Sequence, residues 1–336
     1  AKDRRQRQMC IRDRYTIIAI PVGSLIPAMT QDRDERTSLA SFRYLGASSG
    51  SITVAVLTLP LVGLFSSPQV GFPIVVGCLA VLGAIFAFLC FFNTKEVYSK
   101  PYEESIGVKK VTKMVFNNYP LHFVILALLT TWVANNIKQL TVVYFVKYNL
   151  QLEAYFSLIL LGVILQIMFG AYLINVIKHK FEKKTLFMIG TFLYVITDLI
   201  IYYITGYENF WLLAFIATFG FIGFGMAGVM AWSMIADTIE YGEWKSGFRA
   251  EGVLNAAHVF VFKLSVGFSA WLAGVILEST DYVANASQQT PETLNGLFVM
   301  GYIFPAVAGT IAIIVTYFNK YDSNFYEKIF TELKQR

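Results

Sequence analysis

Nine runs of the chain, each close to the about 20 residues that cross a hydrocarbon core about 30 Å thick, pass with few or no charged side chains. They lie at roughly 15–31, 39–64, 71–93, 119–146, 152–177, 184–204, 209–237, 250–277 and 292–319. The runs are continuous. Barrel strands would alternate polar with apolar residues instead. A helix satisfies its own backbone polar groups where water is absent, so helices are the expected spanning form. Only 15% of the 336 residues are charged and 56% are hydrophobic; an ordinary soluble domain carries about 25% charge. The expectation is an all-α polytopic membrane protein. No secretory signal peptide is visible at the start. Cys10, Cys78 and Cys90 lack metal-ligand spacing and read as small core residues.

The longest connection, 94–118, is polar and basic and separates three spans from six. It is the expected boundary between two halves: 15–93 as a partial first half and 119–319 as a six-helix second half, with a tail at 320–336. Orientation follows from Lys and Arg. With the tail in the cytoplasm, the cytoplasmic segments 32–43, 94–118, 178–184, 237–251 and 320–336 hold 3, 5, 4, 2 and 4 basic residues; the opposite connections hold only Lys147. The first fourteen residues, AKDRRQRQMCIRDR, break this pattern with six basic side chains on the side where they are disfavoured. Either they bind anionic lipid or, as preferred here, the chain is N-terminally incomplete and its basic leader is foreign to the native sequence.

One connection is unusually charged. Between Asp237 and Glu251 stand six formal charges: Asp237, Glu240, Glu243, Lys245, Arg249 and Glu251. A solvated turn is the plain reading. The alternative is a switch whose opposite charges pair in one conformation and part in another. Asp237 and Glu240 come at the end of a span, where a helix C-terminus disfavours acids. Cationic partners are therefore expected, Arg249 or basic groups of the other half.

This stretch, ADTIEYGEWKSGFRAEG, followed by a span with a central lysine, HVFVFKLSVGFSAWLAGVIL, resembles the melibiose permease-like glycoside–pentoside–hexuronide:cation symporter family of the major facilitator superfamily. YTIIAIPVGSLIPAMTQDRDERTSLASFRYLGASSG resembles the family's fourth helix, the loop after it and the start of the fifth. IKQLTVVYFVKYNL resembles the end of the seventh, and NKYDSNFYEKIFTELKQR has the look of the family's tail. The resemblance runs from about residue 15 to the end. It implies a major facilitator-type bundle with about nine transmembrane helices present, the last three of the N-terminal half and six of the C-terminal half. It also implies a cytoplasmic gate: Asp237, Glu240, Glu243 and Arg249 near Arg33, Arg36 and Arg43 of the other half.

Charges inside spans narrow the site. Lys263 lies near mid-span, where a lysine costs about 2.5–3.5 kcal/mol on insertion scales. It should face a wet cavity or an acidic partner. Gly252, Ala256, Val259, Gly267, Ala270 and Gly274 fall within about 40° of its direction, a face that is small apart from Val259. In the resembled family the matching lysine helps organise cation and sugar sites. His258 suits a helix contact better by position alone, although the resemblance puts it where a polar sugar contact often stands, and Asn255 lies one turn before it. The span 119–146 is too polar for a lipid-facing helix; Thr131, Asn135, Lys138 and Thr141 share one arc of about 120° expected to line the cavity. Trp132 or Tyr144 could stack on a sugar ring. Gly220, Gly223, Gly225 and Gly228 make the 209–237 span slim, for close packing or for a hinge. Trp232 is one turn from the family's sugar-contacting tryptophan position, which Gly228 occupies. The family's bridging aspartate of the fourth helix is Ala19 here, and its other cation-site carboxylates belong to a helix outside this chain.

The expected function is a secondary transporter moving glycosides or related sugars by alternating access, multi-pass in the bacterial cytoplasmic membrane, and a fragment of a cation-coupled symporter. Its partners are a small sugar and the bilayer, with no nucleic acid, and it is monomeric. No cofactor is expected; a coupling cation, sodium or proton, belongs to the full-length protein. The alternatives are a lysolipid or amphiphile carrier of the same fold and a non-transporting sensor or scaffold. An enzyme is disfavoured, because the sequence has no metal motif, nucleophile–base pair or phosphate loop, and its three histidines are scattered.

Overall fold

The computed structural model describes residues 22, 25, 29–30, 32–95, 97, 107–152, 155–248, 251–284, 286, 288–320 and 323–335. The leader and nearly all of the span expected at 15–31, Ala19 included, lie outside them. Ten helices have their bounds among the described residues: α1 Arg33–Val62, α2 Pro68–Asn93, α3 Val108–Asn117, α4 Tyr119–Tyr144, α5 Phe156–Ile177, α6 Lys183–Ile200, α7 Phe210–Ser246, α8 Glu251–Ser279, α9 Pro291–Phe318 and α10 Ser323–Gln335. One π-turn, Phe145–Asn149, extends α4, and another, Ile201–Thr205, extends α6. Among the described residues eight helices are long and apolar enough to cross a membrane. They match the eight expected spans from 39–64 onward. The connection 94–118 and the tail are not bare polar linkers, since they carry α3 and α10.

Local chemistry sets the helix starts. Asn118 caps α4, its Oδ1 accepting from the Leu121 N–H at 3.2 Å, with Pro120 in the first turn. Asn209 does the same for α7 through Leu212 N–H at 3.1 Å. Thr290 accepts from Thr293 N–H at 3.2 Å ahead of α9, which opens on Pro291. These groups satisfy N–H donors that the first turn leaves orphaned. Proline is tolerated there because its missing N–H would have been one of the orphans.

The largest departure from the expected boundaries is at α7. It does not stop near residue 237 but runs to Ser246, so Asp237, Glu240 and Glu243 are buried helical residues rather than parts of a solvated turn. It ends where Gly247 turns left-handed at φ 78°, its N–H donating to the Glu243 carbonyl at 2.8 Å. A left-handed C-terminal glycine is a common helix stop.

α7 is the hub. It packs along α5 and α6 and also touches α1, α3, α4, α8 and α10. α4 packs on α8 and α9, and α9 packs on α6, which closes a six-helix bundle. The α7 glycines explain the intimacy of the contacts. A Cβ on Gly223 would stand 2.8 Å from Leu193 Cβ, and one on Gly225 would stand 2.9 Å from the Ile167 carbonyl carbon. In lipid there is little hydrophobic drive between helices, so such close approach of small residues is what holds them together. Of the two roles open to these glycines, the structure supplies close packing.

α1 lies on α5 and α7 by its first turns, and α2 lies on α1. α2 is exposed over most of its length, with Gly71 and Val75 buried. Cys78 and Cys90 are therefore exposed rather than core residues. The reason is that α2 turns one side to α1 and shows the others.

Candidate functional site

The contact of α1 with α5 and α7 is polar for a membrane helix. Thr37 Oγ1 and Ser233 Oγ are 3.1 Å apart. Ser41 Oγ donates to the Ala171 carbonyl at 2.9 Å and accepts from Asn175 Nδ2 at 2.8 Å. Lys178 Nζ donates to Ser38 Oγ at 2.6 Å. Arg36, fully buried, forms an ion pair with the equally buried Glu240. Its Nε donates to the Thr30 carbonyl at 2.7 Å, and the Phe330 ring of α10 covers it at 5.5 Å. Trp244 Nε1 donates to Glu332 Oε2 at 2.6 Å, tying α10 to α7.

The expected meeting of acidic and basic groups thus occurs through Arg36 and Glu240. Asp237 is held by Lys183 at the start of α6, at 2.8 and 3.0 Å. Lys183 was not among the expected partners. Glu243 is buried on the same stretch of α7. The Arg33 side chain and Arg249 lie outside the described residues.

Arg43 is not part of this charged end. Two turns along α1 its guanidinium lies over the Trp232 ring at 4.3 Å. The His258 ring meets Trp232 edge-on, with centroids 4.2 Å apart. α1, α7 and α8 thus place a cation, an indole and an imidazole in one stack. A cation over an indole face is an attractive pairing. His258 is buried, and its Nδ1 has no hydrogen-bond partner among the described residues. Trp132 packs on Phe262 at 5.0 Å and on Phe224 at 6.3 Å, with its Nε1 buried and likewise without a partner among the described residues. Buried polar atoms are nearly always bonded, so these two keep hydrogen-bonding capacity that the closed contact leaves unused.

Gly228 acquires an explanation here. A Cβ on it would meet the Tyr44 ring at 2.9–3.0 Å. Where the resembled family carries a tryptophan on this helix, α1 supplies an aromatic ring from across the contact.

Thr131 and Asn135 are buried on α4, with Thr131 Oγ1 donating to the Ala127 carbonyl at 2.8 Å. Tyr144 sits apart, edge-on to Tyr282 at 5.4 Å. Tyr282 also pairs its hydroxyl with that of Tyr148 at 3.3 Å; burial and that bond push its phenol up to about 12. The Asn255 side chain lies outside the described residues. Lys263 is exposed on α8, and a Cβ on Gly252, Gly267 or Gly274 would meet nothing within 4 Å. Its small face is open among the described residues.

Lys138 does not simply line a cavity. It forms an ion pair with Asp198 of α6. Asp198 was missed by the sequence reading although its signal was present: a carboxylate deep in an apolar run is a functional-site pointer by default. Tyr44 carried no comparable signal. Among the described residues no group of three or more His, Cys, Asp or Glu is arranged to hold a metal ion.

Comparison with known proteins agrees with this architecture. The model of the family described as MFS/sugar transport protein matches residues 9–323. The chain is 33% identical to "Uncharacterized symporter YjmB" of Bacillus subtilis (strain 168), over 96% of this chain and 70% of the relative. It is 31% identical to "Putative sulfoquinovose importer" of Escherichia coli (strain K12), over 96% and 69%. It is 28% identical to "Isoprimeverose transporter" of Lactiplantibacillus pentosus, over 96% and 68%. Membrane-crossing helices, a polar helix contact and a family match over nearly the whole length lead to one conclusion: the chain belongs to the MFS/sugar transport protein family, a multi-pass membrane protein built to move sugars.

Proposed function

We propose that the chain carries glycosides or related sugars by alternating access, with a site at Trp232 and a gate at Arg36–Glu240. The observation that carries the site is the stack of Arg43, Trp232 and His258 from three helices. A sugar ring has an apolar C–H face that suits an indole, and hydroxyls that suit His258 Nδ1 and Trp132 Nε1. Relatives named for sulfoquinovose and isoprimeverose support this substrate class. The matched family does not favour the amphiphile carrier.

In this reading α1 and α2 belong to the first half and α4–α9 form the second. The half-to-half contact through Arg36, Thr37, Ser38 and Ser41 is the closed gate. A coupling cation, sodium or proton, completes the cycle. The test is sugar binding to the chain in vesicles, read by tryptophan fluorescence and by labelled-glycoside uptake. Trp232→Ala is expected to weaken binding about tenfold, equivalent to about 1.4 kcal/mol. Unchanged binding in that variant would remove the site.

The basic connections support a reading in which 94–118 and the C-terminus face the cytoplasm. Lys109→Cys, on exposed α3, is expected to resist membrane-impermeant thiol reagents in intact cells and to react after permeabilisation. Labelling in intact cells would reverse the orientation.

A further inference from the structure

Lys138 and Asp198 stand 60 residues apart in sequence, and the bundle brings them together between α4 and α6. The ammonium is ringed by aromatic faces: Tyr194 at 4.6 Å, Phe221 at 5.2 Å and Tyr302 at 5.1 Å to the centroids. Such faces favour a cation. Asp198 is 1% exposed. Its Oδ1 accepts from Lys138, whereas its Oδ2 is buried without a hydrogen-bond partner among the described residues. A carboxylate normally fills its acceptor positions when it leaves water. This one keeps half of its capacity unused.

The backbone is irregular at the same place. The π-turn Ile201–Thr205 begins where the Ile201 N–H donates to the Asp198 carbonyl. α4 carries its own π-turn beyond Lys138. Tyr302 packs on Phe145 at 5.6 Å and on Phe298 at 5.1 Å, which covers one side of the pair with rings.

We propose that Lys138 and Asp198 form a proton-binding site inside the six-helix bundle, in which Asp198 Oδ2 takes up the proton. The step is balanced: one proton adds to Oδ2, a carboxylate becomes a carboxylic acid, no covalent bond breaks and the ammonium keeps its protons. The pair goes from net zero to one positive charge. The hold on Lys138 then weakens, and its side chain, 13% exposed, is released from α6. Among the described residues the other titratable groups facing the pair are Tyr194 on α6 and Tyr302 on α9. α7 presents the uncharged Phe221. The site uses neither group of the Arg36–Glu240 pair. Coupling of this proton to sugar movement rests on the transport reading; proton binding does not.

The experiment is an infrared pH titration of the full chain in lipid vesicles, following the C=O stretch of protonated carboxyl groups. The parent is expected to gain a band on acidification that Lys138→Gln/Asp198→Asn lacks. That double variant puts an amide pair where the ion pair was. Replacing a buried ion pair whole is far less harmful than breaking it. Lys138→Gln alone keeps the carboxyl group and removes its cation. Its band is expected to persist to a pH higher by about 1–3 units, the effect of a neighbouring opposite charge. A carboxyl titration identical in the parent and the double variant would overturn the proposal. So would a Lys138→Gln midpoint equal to the parent's, and the pair would then be a fixed clasp between α4 and α6. Neither readout needs transport, so failure here leaves the sugar site standing, and failure of sugar binding leaves the proton site standing.

Discussion

Glu240→Gln is expected to open the contact between α1 and α7. Arg36 and Glu240 are both buried, and their charges answer each other across two helices. Removing only the carboxylate leaves a guanidinium in the interior with the Thr30 carbonyl and the Phe330 ring as its remaining described contacts. Breaking a buried pair in this way costs about 3–5 kcal/mol. A cost of that size moves a two-state balance by a factor of roughly 10² to 5 × 10³. The readout is the alkylation rate of Ser233→Cys, since Ser233 Oγ is buried 3.1 Å from Thr37 Oγ1 in the closed contact. Alkylation is expected to quicken in Glu240→Gln. Arg36→Gln/Glu240→Gln is expected to show a smaller increase, because no charge is left alone. A rate in Glu240→Gln equal to the parent's would show that the pair does not hold the contact shut.

Lys263→Ala is expected to abolish sugar uptake while leaving membrane insertion intact. Alanine is easier to place at mid-span by about 2.5–3.5 kcal/mol on insertion scales, so protein levels should match or exceed the parent's. The expectation rests on the open small face around Lys263, where a Cβ on Gly267 or Gly274 would meet nothing within 4 Å. An ammonium on such a face has room for a solute beside it. Lys263→Arg should rescue poorly, because a planar fork does not replace a compact charge. The measurement is labelled-sugar uptake into vesicles at matched protein levels, in a relative with the same helix if required. Parent-rate uptake by the alanine variant would reduce Lys263 to a structural residue.

The helices of this protein were legible at the level of 20-residue windows. Eight of the nine expected spans recur among the described helices, and nearly all of the ninth lies outside the described residues. The demand behind them is local: in hydrocarbon each segment must satisfy its own backbone and present apolar side chains. The charged end of α7 was legible in part. Cationic partners were expected from two acids, Asp237 and Glu240, at the end of a span, and Arg36 was among those the resemblance implied; α7 runs on past both acids, so it is their burial, not a helix end, that calls for the cations. Its helical continuation to Ser246 was not legible, because six charges in fifteen residues read as a turn until their partners are known.

Contacts between distant segments had no such local signature. Which carboxylate takes which cation depends on the rotation of each helix about its axis and on how near its neighbours come. Those are set by packing along whole helices, here by α7 glycines lying against α5 and α6. Arg43 and Arg36 are seven positions apart on α1, yet one covers an indole and the other meets a carboxylate. Asp198 could be read as a costly charge in an apolar run, but nothing near it in sequence names Lys138. Gly228 shows an empty place in the sequence, and only the bundle fills it with Tyr44. Crossing the membrane is decided residue by residue against lipid, whereas the pairing of side chains is decided by neighbours that the chain brings back from far away.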